Sequence, residues 1–369
     1  MKKTKSVLAF LLSAAMMASL VSCGDTTTTT AASTTAAATT AAVSEAAATP
    51  AETTASPETT GAAAGAVTLT DQAGREVTVG DVKSIAICWY MANDFVLALG
   101  AADRLVAIGP HDDFQNLVAP GLETMDTVGR GRPDMEKLAS LNPDLFVHTA
   151  SDKENLQACE ELGIPALAIA PETAEETLDA FRLVGKALGL EDRAEMLCNY
   201  YNQVMAIAKD KLAGVKTEDM PTFVLLGSEM GAVGTKSMMQ TQMISAGGGV
   251  NVADGVESEE LWPVVGTEQV FEWNPDYIFV SSTAEYTVED VLNDAAWSDL
   301  TAVKEGHVYA VPSELHSWEN LGLAPCLGTV WSMMKMHPDL YTEEELNTLV
   351  KEFYSTVYNL DVDRETLKY

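Results

Sequence analysis

Along residues 192–213 apolar positions recur at steps of three and four. Ala194, Leu197, Cys198, Tyr201, Met205, Ala208 and Leu212 would line one buried stripe of a single long helix. Asp192 with Glu195 offers a D-x-x-E cap, and Lys209 and Lys211 sit at the end that favours cations. Gly189 and Gly214 bracket the stretch. Before it, residues 67–79 alternate apolar and polar around a Gly turn and predict a hairpin. Strands follow at 84–88, 105–108, 145–149 and 166–169, interleaved with helices at 92–99, 152–162 and 174–188. After it come strands at 222–226, 277–281 and 307–311, helices at 237–246 and 288–293, and a helical end at 321–336 and 342–358. Strands alternating with helices predict parallel sheets covered on both faces. The stripe suits an ordinary core helix, but its place between two similar halves reads as a spine between two lobes.

One pair of segments makes the repeat explicit. Residues 135–147 read MEKLASLNPDLFV, and residues 267–280 read TEQVFEWNPDYIFV. In both, a Glu (Glu136, Glu268) opens a short helix, Asn-Pro-Asp ends it and a strand follows. Proline stops the helix because it lacks an N–H and restricts the residue before it.

Composition adds the ends of the chain and the charge. Lys2, Lys3 and Lys5 precede an apolar run at 7–20, and Leu20-Val21-Ser22-Cys23 matches a bacterial lipobox. Residues 1–23 therefore read as a lipoprotein signal peptide with Cys23 the lipidation site, and the alternative is a plain signal peptide with an incidental Cys. Residues 24–66 are almost entirely Thr, Ala, Ser, Pro and Glu, too poor in apolar bulk to fold, and read as a disordered tether. An N-terminal lobe over 67–190, the interlobe helix over 191–213 and a C-terminal lobe over 214–369 complete the division. The formal net charge of −32 repels phosphate backbones and argues against nucleic acid. Cys88, Cys159, Cys198 and Cys326 sit in apolar stretches without metal spacing, so buried free thiols are expected, although an extracytoplasmic location permits disulfides.

Several pieces in order carry a resemblance: DQAGREV at 71–77, ALGAADRLV at 98–106, LNPDL at 141–145, LGIP at 162–165, EQV at 268–270, WNPD at 273–276, HPDL at 337–340 and EFY at 352–354. With them the chain resembles the substrate-binding lipoproteins of bacterial ABC importers, in the class for iron–siderophores, haem and cobalamin. The resemblance implies an α/β fold of two Rossmann-like lobes with parallel sheets joined by one long helix, and a cargo cleft at the carboxyl ends of the strands. It implies a monomer with no cofactor of its own. Such a protein is lipid-anchored to the outer face of the cytoplasmic membrane and works with a cognate ABC permease and ATPase. Glu136 and Glu268 fall where the family pairs one glutamate per lobe with permease arginines.

Cleft candidates are the residues following lobe strands. They are Trp89, Tyr90, His111, Arg130, Arg132, His148 and Thr149 in the first lobe, and Met230, Lys236, Ser282, His316 and Trp318 in the second. Aromatic faces with a few polar groups suit a bulky planar or macrocyclic ligand. His316 and His148 are candidate axial ligands if the cargo is haem or a corrinoid. Only Arg130, Arg132 and Lys236 are plausible cleft cations, which leaves haem, a corrinoid or a hydroxamate-type ferric siderophore open. An enzyme is disfavoured: neither G-x-S-x-G nor H-E-x-x-H occurs, and in 231–237 Thr235 separates Gly from Lys and spoils a phosphate loop. A free-metal (Zn or Mn) binding lipoprotein would need converging His and carboxylates, and five scattered His do not suggest it. A surface sensor or adhesin on the same fold is the remaining alternative.

Overall fold

The computed structural model describes residues 65–369, so the expected signal peptide, Cys23 and nearly all of the expected 24–66 tether lie outside the described residues. Strands β1 (Val67–Thr70) and β2 (Glu76–Val79) pair antiparallel around Gly74, whose φ of +77° needs glycine. Asp71 holds Arg75 through Nη2 at 2.7 Å, and Arg75 Nη2 also donates to the Ala166 carbonyl, which fastens the hairpin to the first lobe. Then follow β3 (Ile85–Ile87), α1 (Asn93–Ala98), β4 (Leu105–Ala107), α2 (Asp113–Val118), β5 (Gly129–Arg130), β6 (Arg132–Pro133), α3 (Met135–Leu141), β7 (Leu145–Thr149), α4 (Lys153–Glu161), β8 (Ala166–Ile169) and α5 (Ala174–Leu188). The spine is α6 (Glu191–Leu212). Beyond it come β9 (Thr222–Leu226), α7 (Met239–Ala246), β10 (Val250–Asn251), α8 (Thr267–Trp273), β11 (Tyr277–Val280), α9 (Val288–Asn293), α10 (Thr301–Glu305), β12 (Val308–Ala310), α11 (Pro325–Met336), α12 (Glu343–Tyr358) and α13 (Arg364–Leu367).

Two four-stranded sheets form, ordered β4-β3-β7-β8 and β10-β9-β11-β12, and all their pairings are parallel. Alternate residues of each strand enter different cores, as period two requires. Ile85, Ile87, Leu145 and Val147 join Phe223, Leu225 and Phe279 in one continuous core that includes α6, α11 and α12. Ala86, Cys88 and Phe146 face a core private to the first lobe. Val224, Leu226, Ile278 and Val280 face one private to the second. The lobes therefore share a central core instead of meeting only through α6.

The spine departs from its expected cap. Gly189 ends α5 in the left-handed region (φ +68°), and the Leu190 N–H returns to the Gly185 carbonyl at 2.7 Å. Only Leu190 separates this turn from α6, so Asp192 falls inside the first turn and Glu195 pairs with Arg182 at 2.8 Å instead of capping. The buried stripe is also wider than expected, because Tyr200 and Val204 join it. Arg193 near its start donates to Ala98 O of α1 (2.9 Å from Nη2) and to Thr356 O and Val357 O of α12 (3.1 and 2.6 Å). One guanidinium thus closes the exposed carbonyls of two helix ends.

The doubled N-P-D has a shared physical explanation. Asn142 and Asn274 are left-handed C-caps of α3 and α8, with φ of 44° and 40°. Asp144 Oδ2 then accepts from the Lys83 and Ser84 N–H groups and the Ser84 hydroxyl, each at 2.9 Å. Asp276 Oδ2 accepts from the Thr222 N–H and hydroxyl at 2.8 and 2.7 Å. Each Asp ties the start of its own strand to that of the neighbouring β3 or β9. The four cysteines of the described residues are free and buried, and burial pushes the thiols of Cys88, Cys159 and Cys198 up to about 11.

Candidate cleft between the two sheets

The first lobe prepares its strand ends with a small hairpin. The Gly131 N–H donates to Cys88 O at 3.1 Å, which seats β5–β6 across the end of β3. A Cβ on Gly129 would lie 2.1 Å from Arg132 O, so the turn excludes any other residue there. Arg130 and Arg132 consequently project to the exposed surface. Arg132 lies 3.7 Å from Glu154, an exposed pair that holds it only weakly. Beside the hairpin Tyr90 is 44% exposed, Trp89 is half-buried against the shared core and His111 is half-buried with Nδ1 3.3 Å from Gly109 O. Thr149 is half-buried with its hydroxyl 2.9 Å from that of Ser151.

The segments after the strands of one sheet meet those of the other. Asp112 caps α2 by accepting the Gln115 N–H at 2.8 Å. Gln115 donates to Asp94 Oδ1 at 2.9 Å, and Asn93 donates to Gln115 Oε1 at 3.0 Å. Burial pushes the Asp112 carboxyl up, opposed by the Gln115 N–H. His316, which follows β12, stacks on Phe114 with ring centroids 3.9 Å apart. Its Nδ1 lies 3.0 Å from the Tyr354 hydroxyl and its Nε2 lies 3.7 Å from Asp94 Oδ2. The Trp318 indole N–H donates to the same Tyr354 hydroxyl at 3.0 Å.

Three of the cleft candidates, His316, Trp318 and His148, are buried. His316 lies between Phe114 of α2 and Tyr354 of α12, at the contact between lobes, whereas Trp318 packs on Tyr369 and bonds Tyr354 within the second lobe. His148 is buried as well: Nε2 lies 2.9 Å from Asp152 Oδ2, the ring stacks on Phe146, and burial pushes its pKa down. Among the described residues His148 Nδ1 is buried without a hydrogen-bond partner, whereas His316 Nε2 lies 3.7 Å from Asp94 Oδ2 and makes no hydrogen bond.

In the second lobe Ser281 and Ser282 follow β11, and Glu319 lies behind them. Glu319 Oε1 accepts from the Ser281 hydroxyl at 2.7 Å and from the Ser282 N–H. Ser282 and Lys236 are exposed, and Met230 is half-buried against the second lobe's own core. A Cβ on Gly227, just past β9, would come within 2.5 Å of Trp262 Cε3, so the indole lies directly over that strand end. Leu261 and Val264 beside it are 69% and 57% exposed. Glu136 and Glu268 are exposed in the first turns of α3 and α8.

The residues that sequence reasoning missed are Asp94, Phe114, Gln115, Trp262 and Glu319. The Asp112–Gln115 spacing was the one local signal, a D-x-x-Q cap for the unpredicted α2. The others acquire partners only from distant segments. Among the described residues no group of three His, Cys, Asp or Glu side chains could hold a metal ion. No helix among them is long and apolar enough to cross a membrane.

A family profile described as periplasmic binding protein matches residues 87–315. The chain is 24% identical over 319 residues to the molybdate-binding protein MolA of Haemophilus influenzae, covering 79% of this chain and 90% of that one. It is 25% identical over 250 residues to the Fe(3+)-citrate-binding protein YfmC of Bacillus subtilis, covering 65% and 76%. The crystal structure of a periplasmic solute binding protein from Veillonella parvula superposes with a TM-score of 0.73 at 26% identity, covering 82% of this chain and 96% of that one. These matches agree with the two parallel sheets and the facing strand ends. The chain belongs to the periplasmic binding protein family: it is an extracytoplasmic solute-binding protein of the ABC-importer class, and not an enzyme.

Proposed function

We propose that this protein captures an oxygen-rich metal complex, a ferric carboxylate or hydroxamate chelate in kind, and delivers it to a cognate ABC permease and ATPase. The observation that carries the reading is the β5–β6 hairpin, which presents Arg130 and Arg132 together at the end of β3. A guanidinium fork suits the carboxylate or hydroxamate oxygens of such a complex. Lys236 adds a cation from the second lobe, and Tyr90, Trp89, Leu261 and Val264 supply apolar surface. Relatives named for Fe(3+)-citrate and for iron(3+)-hydroxamate support it. Haem or a corrinoid is favoured less, because His316 and His148 are enclosed by their own partners. A bare oxyanion such as molybdate is the second reading, favoured by the match that spans 90% of MolA.

The protein works as a monomer, held by lipid on Cys23 and docking through Glu136 and Glu268. A relative named as a putative ABC transporter substrate-binding lipoprotein, YhfQ of Bacillus subtilis, supports the anchor. Calorimetric titration of the full chain with ferric citrate, a ferric hydroxamate and molybdate tests the cargo. A ferric chelate is expected to bind at micromolar Kd or tighter, and Arg130→Ala with Arg132→Ala to weaken it by about ten-fold or more. Binding of molybdate alone would favour the second reading, and binding of none would end both.

A further inference from the structure

The second lobe contains a carboxyl group that the folded chain satisfies on one side only. Glu319 is 1% exposed. Both of its donors, the Ser281 hydroxyl and the Ser282 N–H, go to Oε1. Oε2 is buried and has no hydrogen-bond partner among the described residues. A buried polar atom left unmet costs stability, and such atoms persist where something else pays that cost, a waiting ligand among them. Burial pushes the Glu319 carboxyl up, against the hydrogen bonds from Ser282 and Ser281. In the neutral acid the two donors meet the carbonyl oxygen, and Oε2 carries a proton with no acceptor.

The neighbours of this group belong to the segments after β11 and β12. Ser282 is exposed and Ser317 half-buried, and their hydroxyls stand 3.4 Å apart, a long and weak hydrogen bond. The Glu319 N–H reaches Ser317 Oγ at 3.4 Å. The segment holding Ser317 and Glu319 also carries His316, which touches the first lobe.

We propose that Glu319 is a cargo-contacting, specificity-determining residue of the second lobe, whose free Oε2, with the Ser282 and Ser317 hydroxyls, donates to an oxygen atom in the cargo's ligand shell. The cargo displaces the weak Ser317–Ser282 hydroxyl pair to reach it. This assignment rests on the reading of the cargo as an oxygen-bearing metal complex. Arg130 and Arg132 select for charge, whereas an uncharged donor selects for an acceptor oxygen at one place and rejects a group that presents N–H there.

Calorimetry on the full chain tests it with ferric citrate, a ferric hydroxamate and molybdate as probes, alongside thermal unfolding. Glu319→Gln keeps a donor at the same place and is expected to hold the Kd of the best probe within about three-fold. Glu319→Asp withdraws the group by one methylene and is expected to weaken binding by about ten-fold while Tm falls only slightly. Ser282→Ala with Ser317→Ala is expected to weaken binding by about three- to ten-fold at unchanged Tm. A lowered Tm with unchanged Kd in Glu319→Asp makes the carboxyl purely structural and overturns the assignment. Should Glu319→Asp fail to fold, the double serine variant decides, and an unchanged Kd there overturns it. If the wild type binds a probe and the arginine variant weakens it while Glu319→Asp and the serine variant do not, only the Glu319 assignment falls. If the wild type binds none of the three, the cargo reading fails and takes the assignment with it.

Discussion

His316 shows how partners from elsewhere in the chain decide what a residue does. In sequence it sits among Pro312, Ser313, Ser317 and Trp318, a stretch without core periodicity that suggests an exposed loop. In the fold Phe114 covers its ring and the Tyr354 hydroxyl meets its Nδ1. His316→Ala is therefore expected to cost about 2–3 kcal/mol in chemical denaturation, from a lost aromatic stack and a lost buried hydrogen bond. A variant of wild-type stability with altered cargo affinity would return the imidazole to a binding role. Tyr90, Arg130 and Arg132, named in the sequence as residues following lobe strands, are exposed in the fold. Glu319, Asp94 and Phe114 were not legible, since no local pattern says which buried polar or aromatic groups converge.

At the level of elements, the chain was most readable where one segment contains its own instructions. Residues 145–149, 166–169, 174–188, 222–226 and 288–293 are strands and helices with the expected limits. The N-P-D segments were readable for the same reason: cap, stop and strand tie lie within three residues. The start of α11 was misjudged at 321, because Pro325 at the first helical turn, where its missing N–H costs nothing, sets it later. The helices α2, α10 and α13 were too short to leave a period, and nothing local announced Arg193 as the clamp between α1 and α12. Its hydrogen bonds to carbonyls on both helices predict a large effect. Arg193→Ala is expected to lower unfolding free energy by about 3 kcal/mol, and Arg193→Lys to recover only part, because an ammonium cannot span two helix ends. Urea denaturation of the two variants checks the order; equal stability of Arg193→Lys and wild type would reduce the clamp to a simple charge.

For the whole molecule, the two-lobe plan followed from the alternation and the repeat, but the shared core did not. Phe114 of the first lobe packs edge-on against Tyr354 and Tyr358 of α12, so a helix expected to serve the second lobe alone joins both. Glu136 and Glu268 stand exposed at equivalent places in the two halves. Changing both to Lys is expected to abolish uptake in cells while the purified protein still binds cargo, since desolvated interfacial charge pairs are worth about 1.5–7 kcal/mol. Normal uptake by that variant would leave the two glutamates as nothing more than favourable helix starts, worth about 0.3–1 kcal/mol each.

The shared core has a consequence for traffic at the membrane. Arg193, α6 and α12 bind the lobes into one frame, and under the proposed docking role the spacing between Glu136 and Glu268 is expected to change little when the cleft fills. Empty and loaded copies are then expected to display nearly the same pair of charges and to compete for the same permease. On that reading discrimination comes from the cargo or the cleft walls, and an excess of empty protein is expected to inhibit the transport it serves, which uptake measured against rising amounts of cargo-free protein would check.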